Sequence, residues 1–293
     1  MNRILLMLFC IIVLNSFAQK NADSLLQKGI SATNMNFSSG GTVLYASLFM
    51  PKHPVAALVL IHGSGQEKRM TNLALRLCEN GLAVFTYDKR GVGKSGGKYA
   101  GPEVGTNNID TANLNLLALD ASAAADKLSE HLTGKAIPIG LMGFSQAAWI
   151  APLAASNNKN VKFLTLFSAP VATTLEQLRF QFYTNGNTKF WDTHDEAQAR
   201  EHIANDPDKY QFAPTDPRHA LTEISIPGLW LYGGKDIQAP VGLSAERLDV
   251  LKAKGKMYTY KLYPELGHNT GYSASKEPFD FALQWIKSVA GRK

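Results

Sequence analysis

The sequence predicts an α/β fold: a mostly parallel, doubly wound sheet with an N-terminal hairpin and an inserted helical cap. Short continuous apolar runs recur along the chain, and such runs are typical of strands buried on both faces. These runs alternate with segments whose apolar residues recur at helical spacing. Strands that alternate with helices form parallel sheets covered on both faces, which is the basis of the prediction.

The first half of the chain is predicted element by element from these patterns. Two extended runs meet at Ser38-Ser39-Gly40-Gly41 and indicate a hairpin, and Gly81 is expected to cap the first helix. A glycine-rich loop is expected at residues 91–105. The predicted elements are a hairpin over residues 35–50, strands at 55–61 and 82–87, helices at 69–80 and 114–132, a strand at 137–142 and a helix at 147–155.

The alternation of strands and helices breaks between residues 170 and 222, after a predicted strand at 161–167. This segment resembles a helical cap inserted into the core domain, and it is rich in aromatic side chains: Phe180, Phe182, Tyr183, Phe190, Trp191, Tyr210 and Phe212. Beyond it the alternation resumes, with strands at 229–232 and 257–263 and helices at 244–254 and 277–289.

Composition limits the class of protein. The 293 residues are 45% hydrophobic and 18% charged, which fits one globular domain with a sizeable core. The formal net charge of +6 is spread among acidic residues, so the sequence indicates a solvated surface and no nucleic-acid partner. Because the only cysteines are Cys10 and Cys78, neither a disulfide framework nor a metal site is expected.

The N-terminus has the pattern of a secretory signal peptide over residues 1–18. Arg3 precedes an apolar run at residues 4–14, and Ser16-Phe17-Ala18 is a small-x-small cleavage site. The run is shorter than the ~20 residues that span a membrane. A buried N-terminal helix is the alternative interpretation. We expect residues 19–293 to be exported, either periplasmic or secreted, without stable membrane insertion, and we leave the oligomeric state open.

The most informative motif is Gly143-Phe144-Ser145-Gln146-Ala147, which lies between a predicted strand and a predicted helix. A serine between small residues at such a turn is typical of a nucleophile elbow. The tight turn leaves no room for large side chains two positions either side of Ser145. The helix N-terminus beside the serine favours negative charge, so Ser145 is the candidate nucleophile.

A serine nucleophile needs a base and a carboxylate that orients the base. His268 lies in a loop between the last strand and the final helix, and Asp236 follows the strand before it. A surface histidine and a turn aspartate are the alternative interpretations of these two residues. The chain order of Ser145, Asp236 and His268 nevertheless matches the order of a known triad, and we expect these residues to form one.

Acyl transfer also needs an oxyanion hole made of two backbone N–H groups. Gln146 is expected to supply one, because it follows the nucleophile at a helix start. The second is expected from the loop that contains His62-Gly63-Ser64-Gly65, where we favour Ser64 and keep Gly65 as the alternative. His62 itself precedes the elbow and is expected to make a buried structural hydrogen bond.

Taken together, these motifs resemble those of α/β-hydrolase-fold serine hydrolases over nearly all of residues 35–290. The matching segments are residues 59–65, Tyr87-Asp88-Lys89-Arg90-Gly91-Val92-Gly93-Lys94-Ser95, the elbow, Gly233-Gly234-Lys235-Asp236 and Gly267-His268. They are similar to secreted bacterial esterases of the dienelactone-hydrolase-like or serine-aminopeptidase-like kind. The one departure is Ala147, where the family usually has glycine.

The segment Gly91-Val92-Gly93-Lys94-Ser95-Gly96 also fits two nucleotide-binding patterns. A dinucleotide site needs a helix directly after the glycines, and the glycine and proline content of residues 97–102 indicates a loop instead. A phosphate-binding P-loop would need a glycine where Asp88 stands. Both interpretations fail, and no cofactor is expected.

The predicted function is hydrolysis of a small-molecule carboxylic ester through an acyl-enzyme on Ser145. The alternatives are an aminopeptidase-like amide hydrolase with the same triad and a catalytically silent binding protein. We expect the aromatic insertion to shape an apolar pocket. An aminopeptidase would also need carboxylates for the substrate's ammonium group, and the insertion offers Glu176, Asp192, Asp195 and Glu196.

Overall fold

The computed structural model describes residues 29–100, 109–205 and 213–291. The predicted signal peptide, residues 101–105 of the predicted loop, and Tyr210 and Phe212 of the insertion lie outside these ranges. In the described part of the chain, no helix has the length and apolar character needed to cross a bilayer.

The core of the fold is a twisted sheet in which the described residues form eight strands, in the spatial order β1-β2-β4-β3-β5-β6-β7-β8. The first two strands form an antiparallel hairpin and β2 runs antiparallel to β4, while the remaining neighbours are parallel. The predicted α/β class is therefore confirmed. The strands are β1 (Ile30–Ser39), β2 (Thr42–Pro51), β3 (Ala56–Ile61), β4 (Leu82–Tyr87), β5 (Ile139–Phe144), β6 (Val161–Phe167), β7 (Gly228–Gly233) and β8 (Tyr258–Tyr263).

Helices cover both faces of the sheet. On one face α2 and α3 pack over the central strands, and on the other α1 and α9 do. Each helix predicted outside the insertion is present, with ends that differ by three residues or fewer. The helices in the described ranges are α1 (Thr71–Glu79), α2 (Thr111–His131), α3 (Ala147–Ser156), α4 (Thr174–Thr184), α5 (Phe190–Thr193), α6 (Glu196–Asn205), α7 (Pro217–Glu223), α8 (Val241–Ala253) and α9 (Glu277–Ala290).

The strand before the elbow ends later than the sequence predicts, at Phe144 rather than residue 142. Its last residues stay in register with the neighbouring strand, since Gly143 pairs with Leu166 and Phe144 with Phe167. Sheet pairing therefore carries the strand to the residue before Ser145. This places Ser145 at the carboxyl edge of the sheet, where ligands of open α/β sheets bind.

Between β6 and β7, the described residues form four helices, α4 to α7. Two of their aromatic residues, Phe180 and Phe190, form a separate small core with Ala199 and Ile203. The ring of Phe180 lies 6.2 Å from that of Phe190, edge to face. The first of these helices begins with a capping box, in which the side chains of Thr173 and Glu176 each accept a backbone N–H.

Candidate active site

Ser145 lies in the sharp turn between β5 and α3. Its backbone is left-handed, with φ at 48°, which is costly for a residue with a Cβ. The surrounding structure holds the turn, because the Ser145 N–H donates to the Phe167 carbonyl at 3.0 Å and its carbonyl accepts from Ala148 at 2.9 Å. The strained turn predicted for the elbow is therefore present in the structure.

The structure brings Ser145, His268 and Asp236 into one hydrogen-bonded row. Ser145 Oγ lies 3.0 Å from His268 Nε2, and His268 Nδ1 lies 2.8 Å from Oδ2 and 3.1 Å from Oδ1 of Asp236. An imidazole protonated at Nδ1 donates to the carboxylate and accepts from the serine hydroxyl at Nε2. The arrangement has the geometry that a nucleophile, its base and an orienting carboxylate require.

Asp236 is fixed by its own backbone surroundings just beyond β7. Its Oδ1 accepts the backbone N–H groups of Gln238 at 2.7 Å and Ala239 at 2.9 Å, and the residue is 1% exposed. The indole N–H of Trp191 donates to the Asp236 carbonyl at 2.8 Å. This hydrogen bond connects α5 to the loop after β7 that contains Asp236. No pattern in the sequence indicates the contact.

His268 is held from the β6 side of the site. The hydroxyl of Ser168, the residue after β6, donates to the His268 carbonyl and lies 2.9 Å from the hydroxyl of Thr270. Ser168 is a second residue with left-handed backbone, at φ 50°. Two consecutive strand ends, those of β5 and β6, thus carry strained serines that face the same loop.

The candidate oxyanion residues lie on both sides of the nucleophile. Gln146 follows Ser145 at the start of α3 and is buried. Ser64 and Gly65 lie in the loop after β3, and both line the same cavity as Ser145. The structure therefore brings the predicted residues together, and both candidates for the second N–H border the cavity.

This cavity has a volume of about 190 Å³. Its aromatic wall comes from Phe144, Phe167 and Tyr272, with Phe144 stacked on Phe167 at 5.2 Å and 4.9 Å from Tyr272 between ring centroids. None of its lining residues within the described ranges comes from residues 170–222. Of the aromatic side chains described in the insertion, Phe180, Phe190 and Trp191 pack on one another, while Phe182 is exposed.

A carboxylate that the sequence does not single out lines the cavity. Glu67 lies beside the Gly63–Ser64 turn, and its Oε1 would lie 3.2 Å from a Cβ placed on Gly63. Burial raises the pKa of Glu67, and the charge of Lys89 opposes that shift. The motif pattern offers no indication of Glu67, because its place depends on how the loop after β3 folds back.

Two of the carboxylates considered for ammonium binding, Glu176 and Glu196, pair with arginine side chains. Arg247 donates to both oxygens of Glu176, at 2.7 and 2.6 Å. Burial acts to raise the pKa of Glu176, but the bonds from Arg247 and Thr173 prevail and lower it to about 2. Glu196 accepts from Arg200 at 2.8 Å. Neither Glu176, Glu196 nor the aspartates at 192 and 195 line the cavity.

The remaining polar candidates are structural. His62 is 2% exposed, its Nε2 lies 3.3 Å from the Lys68 carbonyl, and burial together with the charge of Lys89 lowers its pKa to about 3. Cys78 is buried in the core, and burial raises the pKa of its thiol to about 12. Within the described ranges, no cluster of three or more His, Cys, Asp or Glu side chains is arranged to hold a metal ion.

The fold and the sequence family define the class of protein, a serine hydrolase with an α/β-hydrolase fold. The chain belongs to the family described as serine aminopeptidase, S33, whose model matches residues 52–218, more than half of its length.

Individual relatives are distant. A "Monoglyceride lipase homolog" of Monkeypox virus is 24% identical over 147 residues, an alignment that covers 48% of this chain and 48% of the viral protein. Among solved structures, an esterase of Pyrococcus furiosus has a TM-score of 0.64 at 16% identity and covers 91% of this chain and 94% of its own. An acylaminoacyl peptidase of Pyrococcus horikoshii has a TM-score of 0.63 at 14% identity and covers 93% of this chain and 43% of its own. At these identities the two solved structures are evidence for the shared fold.

Proposed function

We propose that the protein hydrolyses carboxylic esters through an acyl-enzyme on Ser145. The observation that carries the proposal is the row from Ser145 through His268 to Asp236, which opens on a small cavity. In this scheme His268 takes the proton of Ser145 as the serine attacks the ester carbonyl. Asp236 keeps the imidazole oriented and stabilises its charged form.

The tetrahedral oxyanion is expected to accept hydrogen bonds from the backbone N–H groups of Gln146 and Ser64, with Gly65 as the alternative to Ser64. His268 then donates its proton to the leaving alcohol, which leaves an acyl group on Ser145. A water molecule, deprotonated by the same histidine, hydrolyses that acyl-enzyme and restores the serine.

The cavity favours a short acyl chain. Its volume of about 190 Å³ is below the ~300 Å³ at which drug-sized ligand pockets begin. The stacked rings of Phe144 and Phe167 form a rigid apolar wall suited to a few carbons. The viral relative is named as a lipase homologue and the Pyrococcus furiosus structure as an esterase, and both names agree with ester hydrolysis without indicating an acyl length.

One observation favours a second function, the hydrolysis of amide bonds next to a free amino group. Glu67 places a carboxyl group in the cavity that contains Ser145, and such a group can hold a substrate ammonium. The description of the family as serine aminopeptidase agrees with this candidate. The same triad would serve both reactions, so the substrate decides between them.

The deciding experiment compares kcat/KM on acetyl and butyryl aryl esters with kcat/KM on aminoacyl anilides. We expect the esters to be the better substrates and Glu67→Gln to leave their KM nearly unchanged. Faster anilide cleavage with a KM that rises strongly in Glu67→Gln would establish the peptidase instead. Failure of a fluorophosphonate probe to label wild-type Ser145 would indicate a catalytically silent protein, with Ser145→Ala as the unlabelled control.

We also propose that the protein is exported after removal of residues 1–18, on the strength of the N-terminal sequence pattern. Expression of the full chain in a Gram-negative host should yield a periplasmic or secreted protein whose N-terminal residue is Gln19. A product that stays in the cytoplasm with residues 1–18 attached would contradict the proposal.

A further inference from the structure

Lys89 is a buried cation beside the candidate active site. It is the second residue beyond the end of β4, and only 3% of the residue is exposed. Its ammonium donates to the Gly63 carbonyl at 2.6 Å and to Oε1 of Gln146 at 2.9 Å, with a longer contact of 3.4 Å to the Gly65 carbonyl. An ammonium has three N–H donors, and a buried charge persists only when such bonds offset its lost hydration.

We propose that Lys89 is a positioning residue of the oxyanion hole, where it joins the loop at residues 63–65 to Gln146 at the start of α3. These are the two segments that flank Ser145 and carry the candidate N–H groups. The inference rests on the proposed function, because an oxyanion forms only if acyl transfer takes place at Ser145.

Because the peptide bond is planar, the hydrogen bond from Lys89 to the Gly63 carbonyl also fixes the direction of the Ser64 N–H. The Gly63 carbonyl and the Ser64 N–H belong to one trans peptide unit, in which the C=O and N–H bonds point in opposite directions. A hydrogen bond that fixes the Gly63 carbonyl toward Lys89 therefore fixes the Ser64 N–H away from it. Without this bond, the glycine at 63 would allow the unit to rotate.

Neighbouring contacts hold the rest of the loop in the same way. The hydroxyl of Tyr99 donates to the Ser64 carbonyl at 2.5 Å, and the backbone N–H of Glu67 donates to the Gly65 carbonyl at 3.0 Å. The carbonyl oxygens of residues 63, 64 and 65 thus all accept hydrogen bonds. Preorganised donors of this kind lower the barrier because they need no rearrangement as charge develops.

The protonation state of Lys89 is expected to change at mildly alkaline pH. Burial lowers the pKa of Lys89 to about 8, and the carboxyl group of Glu67 opposes the shift. Among the described residues, His62, directly after β3, and Tyr99, whose ring centroid lies 5.6 Å from Nζ, are further titratable groups around Lys89. Above this pH the amine loses one donor and its charge, so turnover should decline as pH rises through about 8.

The test is Lys89→Met, in which an apolar side chain, one heavy atom shorter than lysine, replaces the chain that carries the ammonium. Each rate is divided by the amount of Ser145 that a fluorophosphonate labels when the labelling reaction is complete. Misfolded protein therefore does not enter the calculation. We expect kcat to fall about 10-fold or more while KM changes little, because the lost interaction acts in the transition state. The decline in kcat above pH 8 should disappear in this variant. Arg90→Lys is the matched control, since Arg90 faces Asp120 on the other side of the same segment.

An unchanged kcat per labelled serine would overturn the inference, and so would an alkaline decline that persists in Lys89→Met. Should Lys89→Met not fold, Gln146→Ala removes one end of the bridge and keeps the backbone N–H. The same selective fall in kcat is then expected, and its absence would overturn the inference. Failure of the proposed function is a different result: wild-type Ser145 would not be labelled at all.

Discussion

Gly143 and Ala147 meet across the turn that carries Ser145. A Cβ on Gly143 would lie 2.3 Å from the Cβ of Ala147 and 3.1 Å from that of Ile61. Two non-bonded carbon atoms do not tolerate the shorter distance, so the turn closes only when position 143 has no side chain. The alanine at 147 fits in place of the usual glycine because Gly143 leaves the space.

This contact predicts that Gly143→Ala destabilises the protein and displaces Ser145, with a loss in the free energy of unfolding of about 2 kcal/mol or more. Ala147→Gly in the same chain should restore part of both stability and activity, because it removes the closer of the two clashing atoms. Urea unfolding and ester turnover of the single and double variants measure the rescue. Equal stability of Gly143→Ala with and without Ala147→Gly would refute the explanation.

Much of the fold follows from local sequence patterns, and the site follows from motifs placed on that fold. The apolar runs at β3, β4 and β7 predict buried strands because nearly every residue in them is apolar. The row of Ser145, Asp236 and His268 follows from chain order and from the expectation that strand ends share one edge. The sequence pattern ends β5 two residues too early, because the last pairs of this strand depend on β6.

Contacts between distant segments were not predictable in the same way. Glu67 lies in no motif, and the motif of residues 87–95 assigns no role to Lys89. Each acquires its surroundings only when β3, β4 and α3 come together. Trp191 reaches the Asp236 carbonyl across 45 positions of sequence. The sequence predicts that the aromatic insertion shapes the pocket, but none of its described residues lines the cavity beside Ser145, and Phe180, Phe190 and Trp191 pack on one another instead.

Ser145→Ala and His268→Ala should each lower kcat about 10³-fold or more, and the double variant should lose little beyond either single variant. Members of a triad act as a unit, since a base without its nucleophile has no proton to accept. Steady-state kinetics on an aryl ester, with circular dichroism to verify folding, measures the three variants. Losses that multiply in the double variant would show that the two residues act independently.

Asp236→Asn should reduce kcat strongly, by about 10³-fold or more, while the fold persists. An amide at this position can donate to His268 Nδ1 and so favours the tautomer that presents a proton, not a lone pair, to Ser145. Trp191→Phe is the companion variant, because it removes a bond to the Asp236 carbonyl and leaves the carboxylate in place. Its kcat should fall less than 10-fold, and near-normal turnover in Asp236→Asn would assign the orienting role elsewhere.

His62 should make the protein less stable as pH falls. Its pKa is about 3 in the folded protein and 6.5 as the ordinary value. Between these values the unfolded chain binds a proton that the folded chain does not. The free energy of unfolding therefore decreases with falling pH, by up to about 1.4 kcal/mol per pH unit from this group.

The measurement is urea unfolding of wild-type and His62→Gln protein at several pH values between 4 and 7. We expect the variant to be less stable at pH 7, because the substitution disturbs a buried ring, and to lose stability less steeply below pH 6.5. His131→Gln replaces an exposed histidine of α2 and should keep the wild-type slope. Parallel curves for His62→Gln and wild type would contradict the assignment.

The acyl preference of the enzyme should depend on Phe144 and not on the aromatic side chains of the insertion. Phe144 is wedged between Phe167 and Gly271, where a Cβ would lie 2.6 Å from its ring, so the ring has little freedom to move aside. Phe144→Ala removes this wall and leaves a cavity next to Ser145. We therefore expect the ratio of kcat/KM for an octanoyl ester to that for an acetyl ester to rise about 10-fold or more, since burying each additional CH₂ contributes about 0.8 kcal/mol.

Phe182→Ala is the matched control for Phe144→Ala, because Phe182 is an aromatic residue of α4 that is 45% exposed and does not line the cavity. Its acyl-chain profile should equal that of wild type. A shift toward long chains in Phe182→Ala, together with an unchanged profile in Phe144→Ala, would mean that the substrate binds against the insertion. The small cavity beside Ser145 would then no longer explain a preference for short acyl groups.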